Sequence, residues 1–235
     1  MLFEGVSILV GILFAVFTSL LLPIAAFSYA IASKRWLPFL LGVLAFSISQ
    51  LLLRIPLLDL LQKHSTTYIL IGSTKPILFA LILGFSAGIF EELARYLLMK
   101  FFMKKKDWTS GFIFGLGHGG VEAVLFLGLG ALTALFSPVS FIYGGEYFLG
   151  GAERFFAITL HISLSIIVLR SVVERRIAFL IVAILIHGIT NSLIGIIPQF
   201  MKGSHALITL ELVFAVAAFI TFIYSLIIKR KGILR

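Results

Sequence analysis

The sequence predicts an all-α membrane protein whose chain crosses the bilayer about seven times as helices. Its 235 residues are 60% hydrophobic and 12% charged, whereas soluble domains are about 45–50% apolar and about 25% charged. The apolar residues also form long runs, and a helix needs about 20 of them to cross the hydrocarbon core. We therefore expect residues 1–235 to form a single integral membrane domain.

Each predicted span is one of these apolar runs. The seven runs cover residues 5–32, 36–58, 76–99, 109–136, 152–172, 177–197 and 206–228. The longest connections, residues 59–75 and 137–151, are predicted to be loops that are too short to fold alone.

Basic residues predict the orientation of the bundle. The first, third and fifth connections and the C-terminal tail carry thirteen lysines and arginines, whereas the even-numbered connections carry three, Lys63, Lys75 and Lys202. Cytoplasmic loops are normally the more basic ones, so we expect the N-terminus outside and the C-terminus in the cytoplasm. The net charge is +9, and the basic residues lie in short clusters beside apolar runs. This position favours anionic lipid head groups as partners and argues against nucleic acid.

Ionisable side chains inside the spans are the candidates for function, because charge in the bilayer core is costly. Counting about 1.5 Å per residue along each helix places one set of polar residues near the middle of the third to sixth spans. The set is Glu91, Glu92, His118, Glu122, His161, His187 and Asn191. We therefore expect four helices to converge on one polar layer inside the bundle.

Spacing shows which of these residues share a helix face, since residues four apart lie one above the other. Such pairs are Glu91 with Arg95, His118 with Glu122, and His187 with Asn191. A carboxylate beside a histidine suits general-base activation of water. A histidine with an asparagine could donate to a developing oxyanion. The pattern is typical of an amide hydrolase that uses no nucleophilic side chain.

Three short motifs on these helices resemble motifs of the CAAX-prenyl-protease and bacteriocin-processing glutamic membrane proteases. They are Glu91-Glu92-Leu93-Ala94-Arg95, Phe114-Gly115-Leu116-Gly117-His118 and His187-Gly188-Ile189-Thr190-Asn191. The wider family usually places the arginine one residue further from the glutamate pair. The closer resemblance is to the YhfC-like branch of intramembrane proteases, which is carried by Gly117-His118-Gly119-Gly120-Val121-Glu122 and by Glu153-Arg154 ahead of His161.

The resemblance implies an intramembrane endopeptidase with a catalytic core at about residues 76–199. The substrate would be a membrane-embedded or lipidated peptide, and the location a cell membrane, most simply the plasma membrane of a prokaryote. Carried over residue by residue, Glu91 and His118 would hold and deprotonate the attacking water. His187 and Asn191 would stabilise the oxyanion, while Glu92 and Arg95 would organise these groups.

The remaining residues of the resemblance have supporting roles. Glu122 is expected to orient His118, and His161, Glu153 and Arg154 receive no firm role from the family. We expect no cofactor, because this mechanism needs none. The YhfC-like branch is also described as metalloproteases, and a catalytic ion such as zinc needs about three converging ligands. The candidate ligands are His118, Glu122, His161 and His187.

Two other functions fit the same polar layer. Glutamate and histidine at mid-membrane serve as proton relays, which would suit a proton-coupled transporter, although the sequence lacks the paired repeats and broken helices of many transporters. A catalytically inactive scaffold that binds membrane peptides is the other alternative. A purely structural role is also open, because Glu91, Glu92 and Arg95 could form an ion pair that locks helices, and histidines often bond between membrane helices.

Overall fold

The computed structural model describes residues 8–136 and 146–234, and this part of the chain is helical without any strand. Eight helices follow in order: α1 Ile8–Ala32, α2 Trp36–His64, α3 Thr66–Thr74, α4 Pro76–Phe101, α5 Trp108–Ala134, α6 Glu146–Glu174, α7 Ile177–Phe200 and α8 Gly203–Arg230. All except the short α3 are long and apolar enough to cross a membrane. The predicted all-α bundle of seven spans is confirmed, while the orientation of the termini stays a prediction.

The predicted loop at residues 59–75 is wrong, because most of it is helical. Helix α2 continues to His64, and its last turns carry an ion pair between Lys63 and Asp59 at 2.6 Å. Ser65 then starts α3, since its side-chain oxygen accepts a hydrogen bond from the backbone N–H of Tyr68 at 3.2 Å. The polar residues that interrupt the apolar run in the sequence therefore stabilise the ends of helices here.

The other span ends differ from the prediction by a few residues, and the largest difference is at α6. Its predicted span was residues 152–172, and the helix begins at Glu146. Glu153 and Arg154 therefore lie about two turns inside the helix instead of at its edge. Residues 5–7 of the first predicted span and residues 137–145 of the second predicted loop lie outside the described residues.

Helix α6 lies at the centre of the bundle. Every residue from 160 to 169 is buried, and a helix that is buried on all sides must be surrounded by other elements. It packs against α1, α4, α5, α7 and α8. Side chains that α6 directs toward α4, α5 and α7 therefore meet partners from several helices at once.

Glycines in α5 let this helix approach its neighbours closely. A Cβ added at Gly115 would overlap the backbone of Ile162 in α6, and one added at Gly117 would overlap the carbonyl oxygen of Phe39 in α2. Small residues permit such backbone contact between membrane helices. The glycines therefore fix His118, the next residue of α5, between α2 and α6.

We expect Gly117→Ala to destabilise the folded protein by about 1–3 kcal/mol or more, because the added methyl group has no space beside Phe39. Gly130→Ala is the matched control, since a Cβ at Gly130 has no heavy atom within 4 Å. Thermal unfolding of both variants in detergent measures the difference. Equal unfolding temperatures for the two variants would contradict the close packing of α2 on α5.

Three spans contain a wider, π-helical turn. These turns are Phe17–Leu21 in α1, Ser47–Arg54 in α2 and Val124–Gly128 in α5. In α2 the backbone N–H of Ile55 donates to the carbonyl oxygen of Gln50, five residues earlier. Such turns redirect side chains and often lie at functional sites. The turn in α2 presents Gln50 and Arg54 to the interior of the bundle.

Asp107 fixes the start of α5 on the predicted cytoplasmic side. Its Oδ1 accepts hydrogen bonds from the backbone N–H of Ser110 at 2.8 Å and from Arg35 at 2.6 Å. Burial opposes ionisation of this carboxyl, but the bonds from Arg35 and Ser110 outweigh burial and lower the pKa of Asp107. The carboxylate is therefore charged at neutral pH and ties the connection between α1 and α2 to α5.

Candidate active site

Polar side chains from five helices form one cluster in the middle of the bundle. Helices α4, α5, α6 and α7 supply the residues that the sequence placed at one depth, and α2 adds two more. The cluster consists of Gln50, Arg54, Glu91, Glu92, Arg95, His118, Glu122, Glu153, Arg154, His161, His187 and Asn191. The predicted convergence of four helices is therefore present in the structure.

Glu91 is the centre of the cluster and is only 3% exposed. Its Oε2 accepts a hydrogen bond from His118 Nε2 at 2.8 Å, and its Oε1 accepts one from Gln50 Nε2 at 2.5 Å. Arg95 Nη2 lies 3.6 Å from Oε2, and His187 Nε2 lies 3.8 Å from Oε1. Groups from four helices thus orient the carboxylate. Glu91 also lines a cavity that adjoins the cluster.

Glu92 holds the ring of His187. Its Oε1 lies 2.6 Å from His187 Nδ1 and 3.4 Å from Arg95 Nη1. A neutral His187 that donates from Nδ1 would present the lone pair of Nε2 toward Glu91, so an oxyanion-stabilising role requires a second proton on the ring. Asn191 lies one turn further along α7 and lines the same cavity as His187.

Glu122 contacts His161 in α6, so the prediction that Glu122 orients His118 is wrong. Its Oε2 lies 2.5 Å from His161 Nε2, and its Oε1 accepts a hydrogen bond from Arg154 at 2.9 Å. Arg154 also pairs with Glu153. The two α5 residues share a helix face as expected, but each reaches a different neighbouring helix: His118 bonds to α4 and Glu122 bonds to α6.

Four of these side chains can bring donor atoms to one metal ion. One donor atom each from Glu91, His118, Glu122 and His161 lies within 4.8 Å of the others. This group differs in one member from the set expected from the sequence, because Glu91 takes the place of His187. The reason is that Glu92 holds His187 Nδ1 on the other side of the Glu91 carboxylate.

The chemistry of this donor set fits a divalent cation such as zinc, which binds histidine nitrogen and carboxylate oxygen. The cluster holds the four carboxylates of Glu91, Glu92, Glu122 and Glu153 and three guanidinium groups, so one negative charge remains when the histidines are neutral. The close pair of His161 Nε2 and Glu122 Oε2 is not aligned as a hydrogen bond, and Oε2 has no other partner. Glu122 Oε2 and His118 Nδ1 are buried donor atoms without a hydrogen-bond partner, as expected of atoms that could bind an ion.

One contact constrains how His161 could bind an ion. Arg95 Nη2 lies 2.6 Å from His161 Nδ1, and a guanidinium can only donate. A neutral His161 would then carry its proton on Nε2 and donate toward Glu122. For Nε2 to bind a metal, Nδ1 must carry the proton, and Arg95 must turn away, for which the Glu91 carboxylate at 3.6 Å is an available acceptor.

A cavity of about 410 Å³ adjoins the cluster. Beyond the polar residues, its wall comes from the second halves of α5 and α7, from the first halves of α4, α6 and α8, and from Phe46 and Ile55 on either side of the middle of α2. The apolar lining residues are Phe46, Ile55, Ala80, Leu83, Gly84, Ala87, Phe126, Ala157, Leu160, Ile194, Gly195 and Phe214. Because neighbouring spans run in opposite directions, these segments other than Phe46 lie on one side of the polar layer, which is the predicted outer side.

The sequence-based prediction missed two residues of the cluster. Gln50 bonds directly to Glu91, and Arg54 bonds to Gln50 at 3.0 Å. Their four-residue spacing and their position inside an apolar run were available signals, because polar side chains in a span usually face the bundle interior. The π-helical turn that aims them at α4 could not be read from the sequence.

Comparison with known proteins identifies a family and one relative. The chain matches the family described as YhfC intramembrane metalloprotease over residues 18–144 and 140–218. It is also similar to a protein of Bacillus subtilis (strain 168) described as the uncharacterized membrane protein YhfC, with 38% identity across 45% of this chain and 52% of that protein. The chain therefore spans about half the length of the curated relative it matches. No solved structure gives a significant match.

Proposed function

Because this chain belongs to the YhfC family of intramembrane metalloproteases, we propose that it is an endopeptidase that hydrolyses a peptide bond of a membrane-embedded or lipidated peptide. The observation that carries this proposal is the buried Glu91 carboxylate, which lies among histidines beside a cavity at mid-bundle. A carboxylate in that position has the chemistry of a general base for water.

In this mechanism Glu91 takes the proton of the attacking water. Gln50 and Arg95 hold the carboxylate in one orientation, since they contact its two oxygens at 2.5 and 3.6 Å. His118, which donates to Glu91 in the structure, supports the same carboxylate from α5. Holding the base in place before the substrate arrives reduces the reorganisation that the reaction requires.

We assign the metal ligands to His118, Glu122 and His161, which leaves Glu91 free to act as the base. Two histidines with one glutamate are a known ligand set of catalytic zinc sites that keep one position open. When bound, such an ion supplies Lewis acidity toward the scissile carbonyl and a more acidic water. Arg154 holds Glu122 at 2.9 Å and so orients this ligand.

His187 and Asn191 are proposed to stabilise the oxyanion. Both line the cavity, as do Gln50 and Arg54. Glu92 keeps the His187 ring in place through Nδ1, at 2.6 Å. With a second proton on the ring, Nε2 beside Glu91 could donate to the carbonyl oxygen of the substrate, where negative charge develops.

The depth of the site defines the substrate class. Membrane helices have their carbonyl groups bonded internally, so the substrate must be locally unwound at the scissile bond. The cavity lies between the cluster and the predicted outer face, which favours entry from that side. We also propose that the chain is related to the CAAX-prenyl-protease and bacteriocin-processing proteases, because it carries the three motifs that resemble theirs.

A metal-free version of the same reaction is favoured by two contacts. His118 bonds directly to Glu91 at 2.8 Å, and Arg95 faces His161 Nδ1 at 2.6 Å, where it opposes metal binding through Nε2. In this version Glu91 and His118 alone activate the water, as in a glutamic protease. Both versions share the substrate, the base and the cavity, and they differ in the need for an ion.

The proposed activity is tested with the purified chain in lipid nanodiscs and a pool of synthetic apolar peptides of about 20 residues, long enough to span the bilayer. We expect new peptide termini by mass spectrometry with the wild type and none above background with His118→Ala. Cleavage that persists in His118→Ala would contradict the mechanism. Proton flux in proteoliposomes without cleavage would favour the transporter, and peptide binding with neither activity would favour the inactive scaffold.

A further inference from the structure

Arg54 is a cation in the wall of the cavity without an anionic partner of its own. Its three nitrogen atoms donate to Ser86 Oγ at 3.0 Å, to Gln50 Oε1 at 3.0 Å and to the carbonyl oxygen of Leu83 at 2.7 Å. All three acceptors are neutral. No carboxylate among the described residues lies within ion-pair distance of this guanidinium.

The other arginines in the middle of the bundle are balanced by carboxylates. Arg95 lies near Glu91 and Glu92, and Arg154 contacts Glu122 and Glu153. Arg54 reaches Glu91 only through the Gln50 amide, so its guanidinium contacts no carboxylate directly. Arg54 uses three of its five N–H groups, so two remain for a further acceptor.

The position of Arg54 relates it to the reaction. Gln50 bridges Arg54 and Glu91 through the two atoms of its amide, so the guanidinium lies no more than about 8 Å from the Glu91 carboxylate. An extended peptide advances about 3.3–3.6 Å per residue. This limit places Arg54 within about two residues of the bond that Glu91 would attack, and both side chains line the same cavity.

We infer that Arg54 forms a subsite that binds a carboxylate of the substrate about two residues from the scissile bond. A guanidinium with two free N–H groups can bind both oxygens of a carboxylate. The carboxylate can come from an acidic side chain or from the C-terminus of the substrate, and the chemistry of recognition is the same. This inference rests on the proposed function, because it takes the cavity to be the substrate site.

The neutral acceptors serve to orient the guanidinium. Ser86 and Leu83 on α4 bind one edge, and Gln50 binds another, so the side chain is held before any ligand arrives. Binding a carboxylate to a fixed guanidinium loses less conformational freedom than binding it to a mobile one. The hydrogen bonds between α2 and α4 thus serve substrate recognition as well as packing.

The test compares matched peptides in nanodiscs, with binding measured by fluorescence anisotropy and cleavage by mass spectrometry. One series moves a single glutamate or its glutamine isostere along an apolar peptide, and the other compares a free C-terminus with its amide. We expect the wild type to bind and cleave one carboxylate form about 10- to 100-fold better than its neutral isostere. The series that shows the preference identifies the source of the carboxylate.

Arg54→Gln is expected to remove this preference and to keep binding of the neutral peptides. Lys63→Gln is the control, because Lys63 is an exposed cation near the end of the same helix, paired with Asp59. Its preference should equal that of the wild type.

Equal binding of acid and neutral peptides by the wild type overturns the subsite, even if Arg54→Gln does not fold. A preference that persists in a folded Arg54→Gln variant also overturns it. The wild type could bind the carboxylate form better in a way that depends on Arg54 and yet cleave no peptide. That result supports the subsite and contradicts the protease activity.

Discussion

Replacing Glu91 by glutamine is expected to lower kcat by about two to four orders of magnitude, the range that a general base contributes. Glutamine has the same size as glutamate but cannot take a proton from water. The hydrogen bonds that hold the group can be kept, because Gln50 can donate to the amide oxygen while His118, with its proton on Nδ1, accepts from the amide N–H through Nε2. The effect should therefore appear in kcat, with the affinity for peptide nearly unchanged. Rates of peptide cleavage in nanodiscs measure it.

Folding must be shown to survive this substitution, because Glu91 is buried and lies near Arg95. Thermal unfolding of Glu91→Gln should remain close to that of the wild type, since Glu92 still lies near Arg95. Asp59→Asn is the matched control, as it neutralises an exposed carboxylate that pairs only with Lys63 in the described part of the chain. A folded Glu91→Gln variant with nearly normal kcat would exclude Glu91 as the base.

Removal of the metal ion is expected to abolish cleavage, and restoring zinc should recover it. If His118, Glu122 and His161 bind the ion, the purified protein should contain about one metal ion per chain. His161→Gln and Glu122→Gln each remove one donor from the set. We expect their metal affinity to fall by more than the roughly 10- to 100-fold that is typical when a residue behind a ligand is changed. Elemental analysis of the purified variants measures the metal content.

Glu174→Gln provides the control for metal content. Glu174 lies at the end of α6 and pairs with Arg170 at 2.7 Å, outside the cluster. Its metal content should match the wild type. Active protein that contains no metal and resists chelators would contradict the assignment of ligands. The metal-free mechanism with Glu91 and His118 would then account for cleavage, and Glu91→Gln would still be inactive.

Much of the fold could be predicted because each span is a property of its own segment. Length and apolar content located all seven long helices, and their cores agree with the structure. The ends were less accurate. Helix α6 begins at Glu146 and α2 continues to His64, because capping and ion pairs stabilise helical turns outside the apolar runs.

The composition of the site was also largely predictable, whereas its pairings were not. Depth along a helix follows from counting residues, so the sequence placed the glutamates and histidines in one layer. Which neighbour each side chain meets depends on how the helices are rotated and packed. Glu122 contacts His161, and His187 bonds to Glu92, although spacing alone paired Glu122 with His118 and His187 with Asn191.

The sequence by itself determined the seven spans, the depth of the polar layer and the residue types that carry the proposed chemistry. These features depend on hydropathy and on the helical repeat, both of which are local. The tertiary structure decided that Glu91 lies within the possible metal-binding group in place of His187 and that α2 contributes Gln50 and Arg54. Those contacts depend on a π-helical turn and on glycine-mediated approach between helices, and both arise only when the helices pack against one another.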